Sequence, residues 1–542
     1  MPRRAALKPF IPSALIIALA TLLIALAPRA PAQELAPQQV LRRGNGAEPA
    51  SLDTHRVTGV SESNILRDLY EGLVSEAADG EAIPGAAERW EISSDGLEYT
   101  FHLRADGRWS NGDPVVAEDF VRAFRRAVDP ATASDYAFIL APIANASAIT
   151  SGKEQDLAKL GARAADARTL KLRLQAPTPY FLQLLTHSMA NPIHAPSLAR
   201  HGERFTRAGN LVSNGPYLLA EWTPQSRIVL KRSPTYRDDT IRIAEVHYLP
   251  IEDGNAELRR YRAGEIDMTA SVPLDQLEWV LKNLPKDYRV SPYLGTYYYL
   301  FNLAQPPLQN NPKLRRALAL AIDRDLITAK VTRAGQIPAM GWVPPGVSGY
   351  QAQALAEAKL PQAERVQLAK RLYAEAGYSD AQPLEVEILY NTSEGHKQIA
   401  VALASMWKTA LGVRARLVNQ EWKVYLDSRQ QGRFQLARAG WIGDYNDPNT
   451  FLEIFVSDSG LNEGKWSNPR YDQLVKKAAL TGNATERARL LAQAERILVD
   501  DLPILPIYFY VSQSLVKPHV LGWQSNILDH HPTRYLAIAA RK

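Results

Sequence analysis

No cysteine occurs among the 542 residues. Its absence excludes disulfides, thiolate metal sites, a thiol nucleophile and the lipidated cysteine that would tether a secreted chain to a membrane. Long apolar runs are nearly as scarce. The one near the start, Ala14 to Ala27, covers 14 residues, short of the roughly 20 that a permanent membrane helix requires. No Lys/Arg block suits a phosphate backbone, so nucleic acid is not expected as a partner. Catalytic signatures are missing as well: there is no G-x-S-x-G elbow, H-E-x-x-H zinc helix, G-x-x-x-x-G-K-[ST] loop or G-x-G-x-x-G turn. No pair of carboxylates is marked by spacing as an acid/base couple. The ten histidines are dispersed except for His530 and His531, and adjacent residues seldom share one metal, so that pair reads as a solvated loop. Neither a metal nor a cofactor is expected, and short repeats and heptad seams are also lacking.

What is there begins with a leader. Arg3, Arg4 and Lys8 precede the apolar run, and Ala30-Pro31-Ala32 supplies small residues, the layout of a secretory signal cleaved near Ala32. Without the four basic residues of that segment the chain carries 59 basic against 57 acidic residues, close to neutral. A soluble, freely diffusing periplasmic protein that is not a lipoprotein is the expectation. The remainder is too long for one hydrophobic core, and 46% hydrophobic with 22% charged residues is an ordinary globular composition, so two or three domains are expected.

Periodicity gives a mixed α/β class. YTFHLR (Tyr99 to Arg104) and RIVLKR (Arg227 to Arg232) alternate as half-buried strands do. LEVEILYN, from Leu384, reads as a strand, Glu394 to Leu411 repeats apolar residues at helical spacing, Gly412 ends that helix, and VRARLVNQ is the next strand. Such a βαβ-like unit puts His396 beyond a strand's carboxyl end, where α/β folds hold ligands. Asn311-Pro312 opens a helix expected to run to about Val331, a second helix covers Gln362 to Ala376 with a stop at Gly377, and a third follows Asn483 from Thr485 to about Val499.

Two segments carry a resemblance. AERWEISSDGLEYTFHLRADGRWSNGDPVVAEDFVRAF (Ala87 to Phe124) resembles the signature region of the family 5 extracellular solute-binding proteins. YNTSEGHKQIAVALASMWK from Tyr390 and NQEWKVYLDSRQQGRFQLARAGWIGDYNDP, ending at Pro448, are similar to the oligopeptide- and murein-peptide-binding branch. SLDTHRVTGVSESNILRDLYEGL, SNGPY, YRAGEIDMT and LVKPHV support it across nearly all of the chain. The resemblance implies a two-lobed periplasmic binding protein fold with mixed sheets, a hinge and an inserted domain. Domain I would comprise about 33–70, 195–295 and 511–542, the inserted domain II 71–194, and domain III 296–510. It implies a monomer that captures short peptides without chemistry on them and delivers them to the permease subunits of an ABC transporter in the inner membrane. A murein tripeptide is the alternative ligand on the same scaffold, and a secreted hydrolase is the rival from another class.

A binder of many peptides must address what they share: the α-ammonium, the backbone and the terminal carboxylate. The family's ammonium anchor aligns with Asp444, although an Asp before Asn-Asp-Pro is by itself an ordinary turn former. For the carboxylate the aligned residues are Arg438, His396 and Arg429, implied to form a series of cationic stops. Trp422, Trp441, Tyr136, Tyr297, Tyr298, Tyr299 and Tyr510 would wall the side-chain pockets, with Val60, Ile442 and Gly443 also in the ligand shell. Thr58 and Leu300 stand where the better-known oligopeptide binders carry acids, a departure that argues against a preference for Lys- or Arg-rich peptides and points to neutral, apolar or acidic ligand residues.

Overall fold

The computed structural model describes residues 34–540 apart from 58, 348, 421 and 458. The expected secretory signal and Thr58 therefore lie outside the described residues, and of Trp422 only the backbone is described. In chain order, β1 (Val40–Gly44) is followed by α1 (Val60–Leu69), then β2 (Ala87–Ile92), β3 (Glu98–Leu103), α2 (Ala117–Val128), β4 (Ala162–Asp166) and β5 (Thr169–Arg173). The chain then returns through β6 (Tyr217–Thr223), β7 (Arg227–Arg232) and β8 (Glu245–Leu249). Two four-stranded sheets result, in the orders β1-β8-β7-β6 and β2-β3-β5-β4, and one continuous core joins them. Together they form the first lobe.

The second lobe is built on a six-stranded sheet. Its elements are β9 (Tyr288–Phe301), α3 (Pro312–Leu320), β10 (Ile337–Pro338), α4 (Gln362–Glu375), β11 (Glu385–Asn391), α5 (Glu394–Leu411), β12 (Arg414–Gln420), α6 (Trp422–Gln430), β13 (Leu436–Ile442), α7 (Pro469–Ala479), α8 (Ala484–Asp501) and β14 (Ile504–Leu515). The strand order is β10-β14-β9-β13-β11-β12. Strand alternation divides its side chains between two cores. Tyr297, Tyr299 and Phe301 pack with the helices α3, α4 and α5, whereas Tyr298 and Leu300 pack with Phe451, Tyr471 and Leu491 on the opposite face.

Strand β11, α5 and parallel β12 form the expected βαβ unit, with Ser393 accepting the His396 N–H as the helix cap and Gly412 in the left-handed region as its stop. The helix expected to reach Val331 instead ends at Leu320. Asp323 caps a new turn by accepting the Leu326 N–H at 2.9 Å, and the buried guanidinium of Arg324 takes the carbonyls of Ala319 and Pro506 at 2.9 and 2.8 Å. A side chain that consumes a carbonyl of the preceding turn ends the ladder there. A further difference concerns His530, read from sequence as solvated. It is half-buried, with Nδ1 3.0 Å from Glu76 and Nε2 2.7 Å from Arg67, because this terminal segment packs back onto the first lobe.

The chain passes between the lobes in two long antiparallel strands, β9 and β14. Their register shifts between Pro292 and Thr296, so that Tyr293, Leu294 and Gly295 lie opposite Tyr510 alone.

Candidate ligand-binding cleft

Strand β13 sets out the cleft on the second lobe. Arg438 pairs with Tyr299, Trp441 with Thr296 and Ile442 with Gly295 of β9, which fixes which side chain faces which core. Gly440 matters for its missing side chain: a Cβ there would lie 2.7 Å from the Tyr510 hydroxyl. The space lets Tyr510 accept a hydrogen bond from Arg438 Nη2 at 3.1 Å. Arg438 also lies over the Tyr297 ring, 4.8 Å from its centroid, and no carboxylate among the described residues is within ion-pair distance of it. A guanidinium held by phenols is oriented and still uncompensated.

His396, at the start of α5, completes this group. Its Nδ1 lies 3.2 Å from the Tyr297 hydroxyl. Burial, and secondarily the Arg438 charge, lower the imidazole to about 3. At that value the His396 imidazole is uncharged near pH 7 in the ligand-free protein. Arg429 stands in a different setting. It is already ion-paired, with Nε and Nη2 each 2.6 Å from Glu463 Oε2.

Beyond β13 the chain turns through Gly443, whose N–H donates to the Leu294 carbonyl at 2.7 Å and whose position leaves no room for a Cβ beside Leu294. Asp444 follows. Its backbone N–H donates to Thr450 Oγ1 at 3.2 Å, but no hydrogen bond or ion pair from the described residues reaches its carboxylate. Burial pushes that carboxyl up to about 6. Across the cleft, Tyr136 of the first lobe stacks on His187 with centroids 5.1 Å apart, and the Asp444 charge adds to burial in raising its phenol. Behind Asp444, burial lifts Glu453 to about 7, even though it accepts from the Tyr445 hydroxyl at 3.0 Å and Asn449 at 2.7 Å.

The remaining expected residues divide. Ile442 and Val60 are exposed, at 38% and 69%, and Trp441 is half-buried with an indole N–H that has no partner among the described residues. Tyr298, Tyr299 and Leu300 are enclosed in the two cores at 3% exposure or less, so none of them walls an open pocket in this conformation. Two cavities open between the lobes. One of about 980 Å³ is bordered by Leu281, Arg333, Ser393 and Gln398 beside His396, and one of about 440 Å³ by Tyr99, Thr178, Asp447 and Arg487.

The cleft between the lobes thus holds a carboxylate and a guanidinium that no opposite charge among the described residues pairs with. The model of the bacterial extracellular solute-binding proteins, family 5, matches residues 81–463. The chain belongs to this family. Among family 5 relatives, the periplasmic oligopeptide-binding protein OppA of Escherichia coli is 43% identical over 521 residues, covering 95% of both chains. The E. coli protein YgiS, described as a probable deoxycholate-binding periplasmic protein, is 41% identical over 93% of both. In structure, the unliganded open form of the murein tripeptide-binding protein MppA superposes with a TM-score of 0.85 at 39% identity, covering 94% of this chain and 99% of that one.

Sequence reading missed several cleft residues of this family 5 protein. Tyr180 of the first lobe stacks on Tyr445 of the second, and Arg487 of α8 lies 5.3 Å from the Tyr180 centroid while pairing twice with Asp447 at 2.7 Å. Tyr425 of α6 donates to the Arg438 carbonyl. None of these carried a local signal, since their partners are distant in sequence. Tyr445 and Asp447 do sit inside the GDYNDP stretch that had been read for Asp444 alone.

Proposed function

We propose that this protein is the periplasmic substrate-binding component of an ABC importer, which captures short oligopeptides between its lobes and passes them unaltered to the membrane permease. The observation that carries the reading is a pair of charges left uncompensated by the described residues, Arg438 on β13 and Asp444 just beyond it. Both charges are thus presented by one stretch of chain along the cleft. Asp444 takes the ammonium, Arg438 and the neutral His396 take the carboxylate, and Trp441 and Tyr136 flank the side chains. Hydrolysis forms no part of this reading. Identity to OppA over nearly the whole chain supports it.

We further propose domain I as about 33–70, 195–295 and 511–542, domain II as 71–194 and domain III as 296–510. The passage of β9 and β14 between the lobes supports boundaries near 295 and 510. Peptide contacts made to both lobes stabilise the closed state alone and shift the population towards it.

A murein tripeptide is the second reading, favoured by the TM-score of 0.85 with MppA. Native mass spectrometry after incubation with mixed tripeptides to hexapeptides, murein tripeptide and deoxycholate separates the possibilities. Unaltered peptides held one to one support the proposal. Shortened peptides make the protein a hydrolase, and preferential retention of deoxycholate, which has no ammonium for Asp444, removes the peptide assignment.

A further inference from the structure

Two arginines expected to receive a carboxylate differ in one respect: Arg438 faces phenols, and Arg429 faces an acid. Arg429 extends from α6, and its Nε and Nη2 both lie 2.6 Å from Glu463 Oε2, with 14% and 13% of the two side chains exposed. Its third nitrogen, Nη1, reaches the Tyr425 hydroxyl at 3.4 Å, the same hydroxyl that donates to the Arg438 carbonyl. Tyr425 therefore ties the two arginines into one neighbourhood, and the charges of both act on its phenol.

Glu463 is placed there by construction. The preceding Asn462, 1% exposed, donates to the carbonyl of Trp466 at 2.6 Å and accepts that residue's N–H at 3.2 Å, which closes the loop between Val456 and α7. The following Gly464 lies against the Phe301 carbonyl, where a Cβ would come within 2.7 Å, and its own carbonyl accepts the Leu303 N–H at 2.9 Å. A carboxylate flanked by two such anchors is presented rigidly to Arg429.

We propose that Glu463 is a specificity-determining residue: a resident counter-anion that occupies Arg429 and leaves Arg438, among the described residues of this group, as the open cation for the ligand. The inference rests on the peptide reading above. A partly buried, charge-assisted pair is not displaced without leaving a second carboxylate uncompensated. A ligand with one terminal carboxylate is satisfied by Arg438. A ligand with a further carboxylate on its last side chain meets a neutral pair whose acid repels it, so the cleft selects against acidic C-terminal residues.

The test compares Ala-Ala-Glu with Ala-Ala-Gln by titration calorimetry on the full secreted protein. Wild type binds Ala-Ala-Glu no more tightly than Ala-Ala-Gln. Glu463→Gln, which keeps the shape and removes the charge, gains about tenfold for Ala-Ala-Glu over Ala-Ala-Gln. Glu463→Gln/Arg429→Gln, with neither charge left exposed, returns the ratio to that of wild type, and this variant decides the matter if the single one does not fold. A ratio unmoved in Glu463→Gln, equal weakening of both peptides, or a shifted ratio in the double variant overturns the assignment of Glu463. Wild-type protein that binds neither tripeptide overturns the peptide reading itself.

Discussion

Tyr180 and Tyr445 stack across the interlobe gap with ring centroids 4.9 Å apart and planes 7° from parallel. Tyr180 follows the β2-β3-β5-β4 sheet of the first lobe, whereas Tyr445 lies just past β13 of the second and next to Asp444. The contact therefore joins the lobes beside the residue proposed to hold the ligand's ammonium.

Loss of this stack loosens the lobes. Aromatic pairs contribute about 0.5–1.5 kcal/mol beyond their buried area, so Tyr180→Leu weakens peptide binding by roughly two- to tenfold, because more ordering is left to the ligand. Spin labels placed on the two lobes broaden their distance distribution in the ligand-free variant. An unchanged distribution and affinity would make the stack incidental.

Asp444→Ala weakens every peptide alike. A hydrogen bond to a charged group contributes about 1.5–3 kcal/mol, or roughly 10- to 150-fold in affinity. N-acetylation of a good ligand costs wild type as much and costs the variant nothing more, since both changes delete one contact. Calorimetry on the four combinations measures the coupling.

Binding also weakens in acid. The ammonium requires an ionised Asp444, whose carboxyl titrates near 6 in the ligand-free protein, so affinity is full above that pH and falls below it. At pH 5 roughly a tenth of the carboxyl is ionised, which lowers affinity about tenfold relative to pH 7. Glu453, near 7, lies behind Asp444, and its protonation relieves repulsion there; Tyr136 stays neutral throughout. Asp444→Asn removes most of the dependence between pH 5 and 7, and a dependence left intact points to another group.

His396 contributes no titration in that range. Held at about 3 by burial and by Arg438, its imidazole carbon-bound proton resonances stay fixed from pH 5 to 8 in NMR spectra of the free protein. A midpoint near 6.5 would mean that the ring is solvated and the Tyr297 contact broken.

Arg487→Gln destabilises the second lobe. It leaves Asp447 buried without its bidentate partner, in a pair whose side chains are 9% and 12% exposed, and removal of one member of such a pair costs about 3–5 kcal/mol. Urea denaturation measures the loss as a lowered midpoint.

Local elements were legible wherever a residue's own backbone need decided the outcome. Asn483 caps α8, Gly377 and Gly412 take left-handed conformations after α4 and α5, and the Leu384–Gln420 unit folds as its periodicity indicates. The helix break at Ile322 was not legible, because it depends on Arg324 finding the Pro506 carbonyl of β14. At the site, residue types were readable through family resemblance, and their charge states were not. Whether Arg429 is open depends on Glu463, 34 residues away, and whether His396 is cationic depends first on its burial and then on the charge of Arg438. Tyr298 and Tyr299 show the same limit from another side, since adjacent tyrosines enter opposite cores once β9 is sandwiched between two layers.

Tyr510 has two neighbours that matter together: the Arg438 guanidinium, and the three residues of β9 spread opposite it where the ladder loses register. Pro292, at the edge of that irregularity, has no N–H to contribute to the ladder. Bending the ribbon there would sacrifice little regular pairing. If Arg438 takes the ligand's carboxylate as proposed, the phenol it holds sits at this irregularity, so cargo and interlobe ribbon meet at one residue.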